Sequence, residues 1–187
     1  MSAAMCTSRI PCTAKANARV DSEQDVGSRE ETVAFHLSTT AFPGHVIPAE
    51  FTCDGPDKSP ALMWSDPPKD TESFSLIVED PDAPAGVWVH WVLYGLPADA
   101  RELPEAMPKE RMLPNGARQG RNDFGKLGYN GPCPPRGRSH RYIFTLYALD
   151  SKTDLAPGAT KAELQHAIRG HVLEKAKLTA TFGRASA

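Results

Sequence analysis

Proline is unusually frequent in this chain and limits the backbone structures that it can form. It accounts for 17 of the 187 residues, which is about 9% against a usual ~5%. Several prolines stand side by side, as at Pro67-Pro68 and Pro134-Pro135. Because proline fixes φ and has no N–H to donate, it interrupts both helices and sheet ladders. The pattern favours many short strands joined by turns over long helices.

Length and charge limit the classes of protein to which the chain can belong. Domains usually hold roughly 100 to 200 residues, so we predict a single domain over 33–187. Residues 1–32 lack the unbroken apolar core of a secretory signal and are predicted to be a disordered leader. A net charge of −2 gives no field to attract nucleic acid, and no apolar run approaches the ~20 residues that span a bilayer. We therefore predict a cytoplasmic protein without nucleic-acid or integral-membrane association.

The cysteines give no sign of a metal site. They stand at positions 6, 12, 53 and 133, without a C-x-x-C pair or a Cys/His spacing typical of zinc. Cys6 and Cys12 fall in the leader and are expected to be free thiols. Cys53 and Cys133 fall in turn-like segments and can meet, but a cytosolic location favours thiols. No cofactor is predicted.

Three segments have the apolar and β-branched composition of strands. Residues 74–80 are apolar and end at a proline-rich loop that cannot continue a ladder. In residues 87–94, strict alternation separates two faces, Trp88, His90, Val92 and Tyr94 against Val89, Trp91 and Leu93. In residues 140–149, it groups His140, Tyr142, Phe144 and Leu146. Both faces of this last segment are largely apolar, which predicts a central strand.

The remaining segments complete a mostly β architecture. Residues 33–38 begin the ordered region, and the polar stretch 101–128 predicts a long irregular excursion. Thr160 and Glu163 match a capping box, and Leu164, Ile168 and Val172 recur at helical spacing, so a helix of about 15 residues is expected. Residues 177–184 alternate again and predict a last strand. Strands followed by one late helix predict a β-sandwich-like core with peripheral helices.

Two clusters join a proline-rich loop to a strand that carries a histidine. In the first, Asp80-Pro-Asp82-Ala-Pro84 precedes Trp88-Val-His90-Trp91. In the second, Gly131-Pro-Cys-Pro-Pro135 precedes His140-Arg-Tyr142. Proline-rich loops have few accessible backbone states, so groups beside them lose little freedom when a ligand binds. The two clusters therefore predict a preorganised site for a small ligand.

These clusters resemble the prokaryotic branch of the phosphatidylethanolamine-binding protein family, also called Raf kinase inhibitor-like. Further pieces of the family pattern follow in order over about residues 35 to 184: Phe51-Thr-Cys-Asp-Gly55, Ser59-Pro60, Leu62-Met-Trp64 and Ala148-Leu-Asp150. The resemblance implies a β-sandwich with peripheral helices, and a homodimer. It also implies a protein that binds anionic headgroups and that, in some members, inhibits a kinase or protease.

The resemblance also implies which residues bind the ligand. Family members form a pocket for phosphate-like anions, and its residues correspond here to Asp80, Pro84, His90, Gly131, Pro132, Cys133, Pro135 and His140, with Trp88 and Tyr142 in the wall. Cys133 stands where many eukaryotic members have glycine. No segment matches the C-terminal helix that lines the eukaryotic pocket, so lipid binding is not implied.

The chemistry of these residue types agrees with an anion site. Two imidazoles can each present an N–H to one anion, and such charge-assisted hydrogen bonds are about twice as strong as neutral ones. Asp80 would repel an anion, so we predict that it orients a histidine and favours the imidazolium. Asp82 either receives a headgroup ammonium or only forms an Asx-turn. The alternative for His90 is a structural role, as a core residue whose hydrogen bonds are made within the protein. The alternative for Arg136, Arg138 and Arg141 is that they are solvated surface residues and do not form the rim of a pocket.

Two enzymatic alternatives compete with a binding module. Cys133 with His140 would give a cysteine hydrolase, although no residue obviously orients the histidine. Asp80, Asp82, His90 and His140 would suit zinc or iron in a metal-dependent enzyme, although no local motif supports this. We predict that the chain is not an enzyme.

Overall fold

The computed structural model describes residues 34–186 and contains two antiparallel sheets. A three-stranded sheet has the order β1 (His36–Ser38), β2 (Leu62–Ser65) and β5 (Glu102–Leu103). A five-stranded sheet has the order β6 (Arg118–Gln119), β4 (Trp88–Pro97), β3 (Ser73–Asp80), β7 (His140–Leu149) and β8 (Val172–Phe182). The predicted leader over 1–32 lies outside the described residues.

The main core lies between the two sheets. Buried side chains of the small sheet, such as Leu37 and Trp64, pack there with those of the large sheet, such as Leu76, Trp91 and Phe144. Burial of apolar side chains is the dominant stabilising term, at about 25 cal/mol per Å² removed from water. A second core covers the other face of the large sheet. The mostly β class, with two sheets and a helix near the C-terminus, confirms the predicted fold class.

The second core is closed by one short helix, α1 (Lys161–Ala167). Thr160 and Glu163 form the predicted capping box. The predicted length of about 15 residues is wrong, because α1 has only 7 residues. Gly170 has a φ of 84°, a left-handed conformation that ends helices, and the chain turns there into β8. Within residues 34–186, no helix has the length and apolar character needed to cross a bilayer.

A β-bulge in β4 changes the faces predicted for that strand. Val89 pairs with Glu79 and Trp91 pairs with Val78, so His90 is an extra residue with no partner of its own on β3. A bulge of this kind interrupts the alternation of side chains. Val89 therefore packs in the second core with Val92 and Tyr94, and Trp91 packs in the main core. The predicted grouping of His90 with Val92 and Tyr94 is wrong, whereas that of Tyr142, Phe144 and Leu146 on β7 is confirmed.

The long stretch over 101–128 is irregular, as predicted, apart from the two-residue strands β5 and β6. Strand β7 has the predicted bounds and lies between β3 and β8. The last strand begins at Val172 rather than at residue 177, because the shorter helix releases residues that then pair with β7. These features set β3, β4 and β7 side by side.

Candidate functional site

A pocket of about 240 Å³ opens where β3 ends and where β4 and β7 begin. The three strands run antiparallel, so the C-terminal end of β3 lies beside the N-terminal ends of its two neighbours. The lining residues come from these strand ends and from the loops around them: Asp80, Ala83, Pro84, Ala85, Trp88, His90, Phe124, Cys133, Pro134, Pro135 and His140. The sheet thus brings both predicted histidines to one cavity.

His140 is held by Asp80 at the base of the pocket. Nδ1 of His140 lies 2.7 Å from Oδ2 of Asp80, and both side chains are buried. The other carboxylate oxygen of Asp80 accepts the backbone N–H of Asp82 at 2.8 Å. Because Asp80 accepts from Nδ1, the hydrogen on that nitrogen is fixed and Nε2 becomes the ring nitrogen available to a ligand.

His90 is held in the same way by a backbone carbonyl. Its Nδ1 lies 2.7 Å from the carbonyl oxygen of Asn130, which can only accept, so this nitrogen carries the hydrogen. Burial lowers the pKa of His90, although the Asn130 carbonyl and the charge of Asp80 act in the opposite direction. The imidazole is therefore neutral at pH 7. Within residues 34–186, the ring hydrogen bonds with good geometry are made by Nδ1 of His90 and Nδ1 of His140.

Aromatic rings enclose His90. The ring of Phe124 lies 5.3 Å from that of His90 and 5.4 Å from that of Trp88, both edge-on. On another side, Tyr142 packs edge-on at 5.2 Å. Burial, and after it the charge of Asp80, raises the pKa of the Tyr142 hydroxyl, which stays protonated. These rings exclude water around His90, and a hydrogen bond to a ligand is stronger where water is excluded.

A disulfide closes the proline-rich wall of the pocket. Cys53 and Cys133 are bonded, with their Cα atoms 5.4 Å apart, and Cys53 also donates its backbone N–H to the Pro132 carbonyl at 3.1 Å. The sequence left open whether these two cysteines pair, and the structure does not bear out the preference for thiols. That preference rested on an assumed compartment, whereas the pairing depends on two loops that are 80 residues apart in sequence and adjacent in space.

Asp82 does not line the pocket. Its carboxylate accepts three hydrogen bonds from Arg141, one from the backbone N–H and two from the guanidinium, at 2.8 to 2.9 Å. These bonds lower the pKa of Asp82 well below its usual range. The structure does not support Asp82 as a receptor for an ammonium group, because Arg141 already compensates its charge.

The three arginines near the pocket have partners or exposure outside the cavity. Arg141 is paired with Asp82, and Arg138 lies 3.9 Å from the same carboxylate with a largely exposed side chain. Arg136 donates to the backbone carbonyl of Ala185 at 3.2 Å. None of the three is among the residues that line the cavity. This agrees with the alternative that the three arginines are solvated surface residues.

Comparison with known proteins identifies the family. The family model for phosphatidylethanolamine-binding protein matches residues 37–183. The chain belongs to this family. It is 51% identical over 138 residues to a UPF0098 protein of Methanothermobacter thermautotrophicus, covering 74% of this chain and 91% of that protein. It is 46% identical over 132 residues to UPF0098 protein YbhB of Escherichia coli, covering 69% of this chain and 84% of that protein.

Solved structures of the phosphatidylethanolamine-binding protein family have the same fold. The crystal structure of the homologue CT736 from Chlamydia trachomatis superposes with a TM-score of 0.73 at 39% identity, covering 81% of this chain and 98% of that one. The crystal structure of YbcL from Escherichia coli, described as a member of the mammalian family, gives 0.73 at 33% identity, with 80% and 98% covered.

Most of the predicted site residues line the cavity. These are Asp80, Pro84, Trp88, His90, Cys133, Pro135 and His140. The others lie outside the lining: Asp82, Gly131, Pro132 and Tyr142. Gly131 has a structural role, since a Cβ there would lie 2.0 Å from the carbonyl oxygen of Phe51. Tyr142 supports the ring of His90 from behind.

The sequence reasoning missed several residues at or behind the pocket. Phe124 lies in the irregular stretch 101–128, where no periodicity distinguishes one aromatic side chain. Asn130 and Asp57, which hold His90 and the proline-rich wall in place, carry no motif of their own. Ala83 and Ala85 lie within the first of the two proline-rich loops, so their place in that loop was the available signal.

Proposed function

We propose that the pocket binds a small phosphate-like anion between Nε2 of His90 and Nε2 of His140, and that the chain is a binding module rather than an enzyme. One observation carries the proposal. Both histidines line one cavity, and each has its Nδ1 committed to an acceptor behind it. The nitrogen that remains on each ring is Nε2, which becomes a donor when the imidazole is protonated.

The proton balance of this complex follows from the burial of His90. The neutral ring presents a lone pair at Nε2, which repels an anion but can accept a hydrogen bond from a protonated one. The complex therefore contains one proton shared between His90 and the phosphate, which either arrives on dihydrogen phosphate or is taken up from solution when the dianion binds. Because the pKa of His90 lies below its ordinary value, neither the protonated ring nor the protonated anion is favoured at high pH. Phosphate should bind more tightly near pH 6 than near pH 8.

The hydrolase alternatives lack support. A cysteine nucleophile requires a thiolate, and the sulfur of Cys133 is bonded to that of Cys53. In residues 34–186, no group of three or more His, Cys, Asp or Glu side chains is arranged to hold a metal ion. Asp82, one of the four residues considered as ligands, is paired with Arg141.

Thermal and chemical unfolding with inorganic phosphate tests the proposal. A ligand present at 100 times its Kd stabilises the native state by about 2.7 kcal/mol, and His90→Gln and His140→Gln should each remove this gain. His171→Gln is the matched control, because His171 is also bonded to an aspartate, Asp150, at 2.9 Å but is exposed and does not line the pocket. A wild-type protein that gains nothing from millimolar phosphate contradicts the proposal.

Three further proposals rest on the family resemblance or on composition. We propose that ligand binding regulates a partner kinase or protease, and that the chain forms a homodimer. Light scattering during gel filtration measures the second directly. The cytoplasmic location also stays a prediction, and the Cys53–Cys133 disulfide does not favour it, because disulfides persist mainly in oxidising compartments.

A further inference from the structure

We propose that Asp57 is a positioning residue for His90, acting through the peptide group that joins Asn130 to Gly131. This inference rests on the proposed role of His90 as an anion ligand. Oδ1 of Asp57 accepts the Gly131 N–H at 2.6 Å, and the Asn130 carbonyl accepts from Nδ1 of His90 at 2.7 Å. The two hydrogen bonds lie at opposite ends of one peptide group.

The geometry of the peptide group makes the two bonds interdependent. A trans peptide is planar, with its N–H and its C=O pointing in opposite directions. Fixing the Gly131 N–H on Asp57 therefore fixes the direction of the Asn130 carbonyl. That carbonyl selects the tautomer of His90 in which Nδ1 carries the hydrogen and Nε2 is available to a ligand.

The charge of Asp57 acts along the same path. A carboxylate that accepts from a peptide N–H polarises the group and makes its carbonyl a stronger acceptor, because hydrogen bonds in series strengthen one another. His140 has Asp80 directly behind it. His90 is connected to Asp57 through the peptide group between Asn130 and Gly131. Each histidine of the pocket is thus supported by its own carboxylate.

Asp57 is built into this position by more than one contact. Its Oδ2 accepts from the side-chain amide of Asn130 at 2.9 Å, and its backbone has a φ of 56°, in the sparsely populated left-handed region. The bond from Cys53 to Cys133 ties the same two loops a few residues away. Gly131 is required for this approach, since any Cβ there would collide with the carbonyl oxygen of Phe51.

The groups that face His90 determine how a change at Asp57 would act. Asp80 on β3 and Asp57 both raise the pKa of His90 by their charge, whereas burial lowers it. His140 lies across the cavity and the Tyr142 ring packs behind. Removing the charge of Asp57 should therefore lower the pKa further. A loop that merely loosened would admit water, and the pKa would rise towards its ordinary value of 6.5.

Nitrogen-15 NMR of the histidine rings, in buffer without phosphate, separates these outcomes. In the wild type, we expect neutral His90 to carry its hydrogen on Nδ1. In Asp57→Asn we expect a lower pKa for His90 and a smaller share of this tautomer. An unchanged tautomer and pKa overturn the inference, and so does a pKa that rises. These measurements need no ligand, so they test the role of Asp57 separately from the proposed function. Failure of phosphate to bind the wild type would contradict the proposed function instead.

Two further variants sharpen the test. Asn130→Ala removes one contact of Asp57 but leaves the peptide group in place, so His90 should keep the tautomer with hydrogen on Nδ1. Loss of this tautomer in Asn130→Ala overturns the inference, even if Asp57→Asn does not fold. Lys109→Met removes the exposed cation 3.3 Å from Asp57 and should keep phosphate affinity within about twofold. Asp57→Asn should weaken phosphate binding at pH 6 about tenfold, by analogy with the smallest losses at metal sites when the group that orients a metal-binding histidine is removed.

Discussion

Asp80 and His140 form a buried hydrogen-bonded pair, with Oδ2 of the carboxylate 2.7 Å from Nδ1 of the imidazole. They lie 60 positions apart in the chain, at the end of β3 and the beginning of β7. Because Oδ2 of Asp80 accepts from Nδ1, the other ring nitrogen of His140, Nε2, is left for a ligand. Asp80 thereby orients a histidine of the pocket, although a carboxylate itself would repel an anion.

Replacing Asp80 by asparagine tests this role. In Asp80→Asn the side chain keeps its shape, but its amide can donate as well as accept and so no longer fixes the hydrogen of His140 on Nδ1. By analogy with groups that orient metal-binding histidines, we expect the Kd for phosphate at pH 6 to rise about tenfold, as measured by isothermal titration calorimetry. Tighter binding would show instead that repulsion between Asp80 and the anion dominates, and would contradict the role given to this carboxylate.

The buried His90 predicts how stability depends on pH. Its pKa in the folded protein lies below the unfolded value of about 6.5, so the unfolded chain binds the proton more readily. Stability rises with pH where the unfolded state holds more protons. The contribution of His90 is therefore fully present above about pH 6.5 and declines as the pH falls below it.

Urea unfolding of the wild type and of His90→Gln at pH 7 and pH 5 measures this effect. We expect the difference in free energy of unfolding between the two proteins to become smaller at pH 5, because only the wild type must charge a buried imidazole. A difference that stays constant or grows on acidification would be incompatible with the lowered pKa.

The aromatic cover of His90 makes a separate prediction. Phe124 packs edge-on against the imidazole at the mouth of the pocket. Phe124→Ala should admit water to the ring and so raise the pKa of His90 towards its ordinary value, because burial is the main cause that lowers it. Histidine titration followed by NMR gives the value. A pKa that stays low would mean that the other neighbours alone keep the ring dry.

The disulfide should contribute much of the stability of the pocket wall. It closes a loop of 80 residues, for which chain entropy predicts a stabilisation of about 4.5 kcal/mol. We expect the double variant Cys53→Ala, Cys133→Ala to unfold at lower urea concentration, and reducing agent to have the same effect on the wild type only. Equal stability of reduced and oxidised wild type would argue against a formed bond.

The sequence identified those parts of the fold that depend on local pattern. Strand β7 has the predicted bounds because alternation runs unbroken through it. The helix ends early because Gly170 turns the chain, which the spacing of Leu164, Ile168 and Val172 does not reveal. The orientation of His90 depends on a bulge, and a bulge is a property of the register between two strands rather than of one.

The candidate site was predictable to a similar extent. Residues in the two proline-rich clusters were found because the motif contains them. Asp57 and Asn130 were missed because their contacts join loops that are 73 and 74 residues apart in sequence. The same separation explains why the Cys53–Cys133 bond was not predicted.

The most direct test of the central claim is nitrogen-15 NMR of the imidazole rings during titration with inorganic phosphate at pH 6. Nε2 of His90 and Nε2 of His140 should shift together along one saturating curve, while His171, which does not line the pocket, should stay unchanged. Rings that do not respond, or that respond at different phosphate concentrations, would contradict a single anion held between the two histidines.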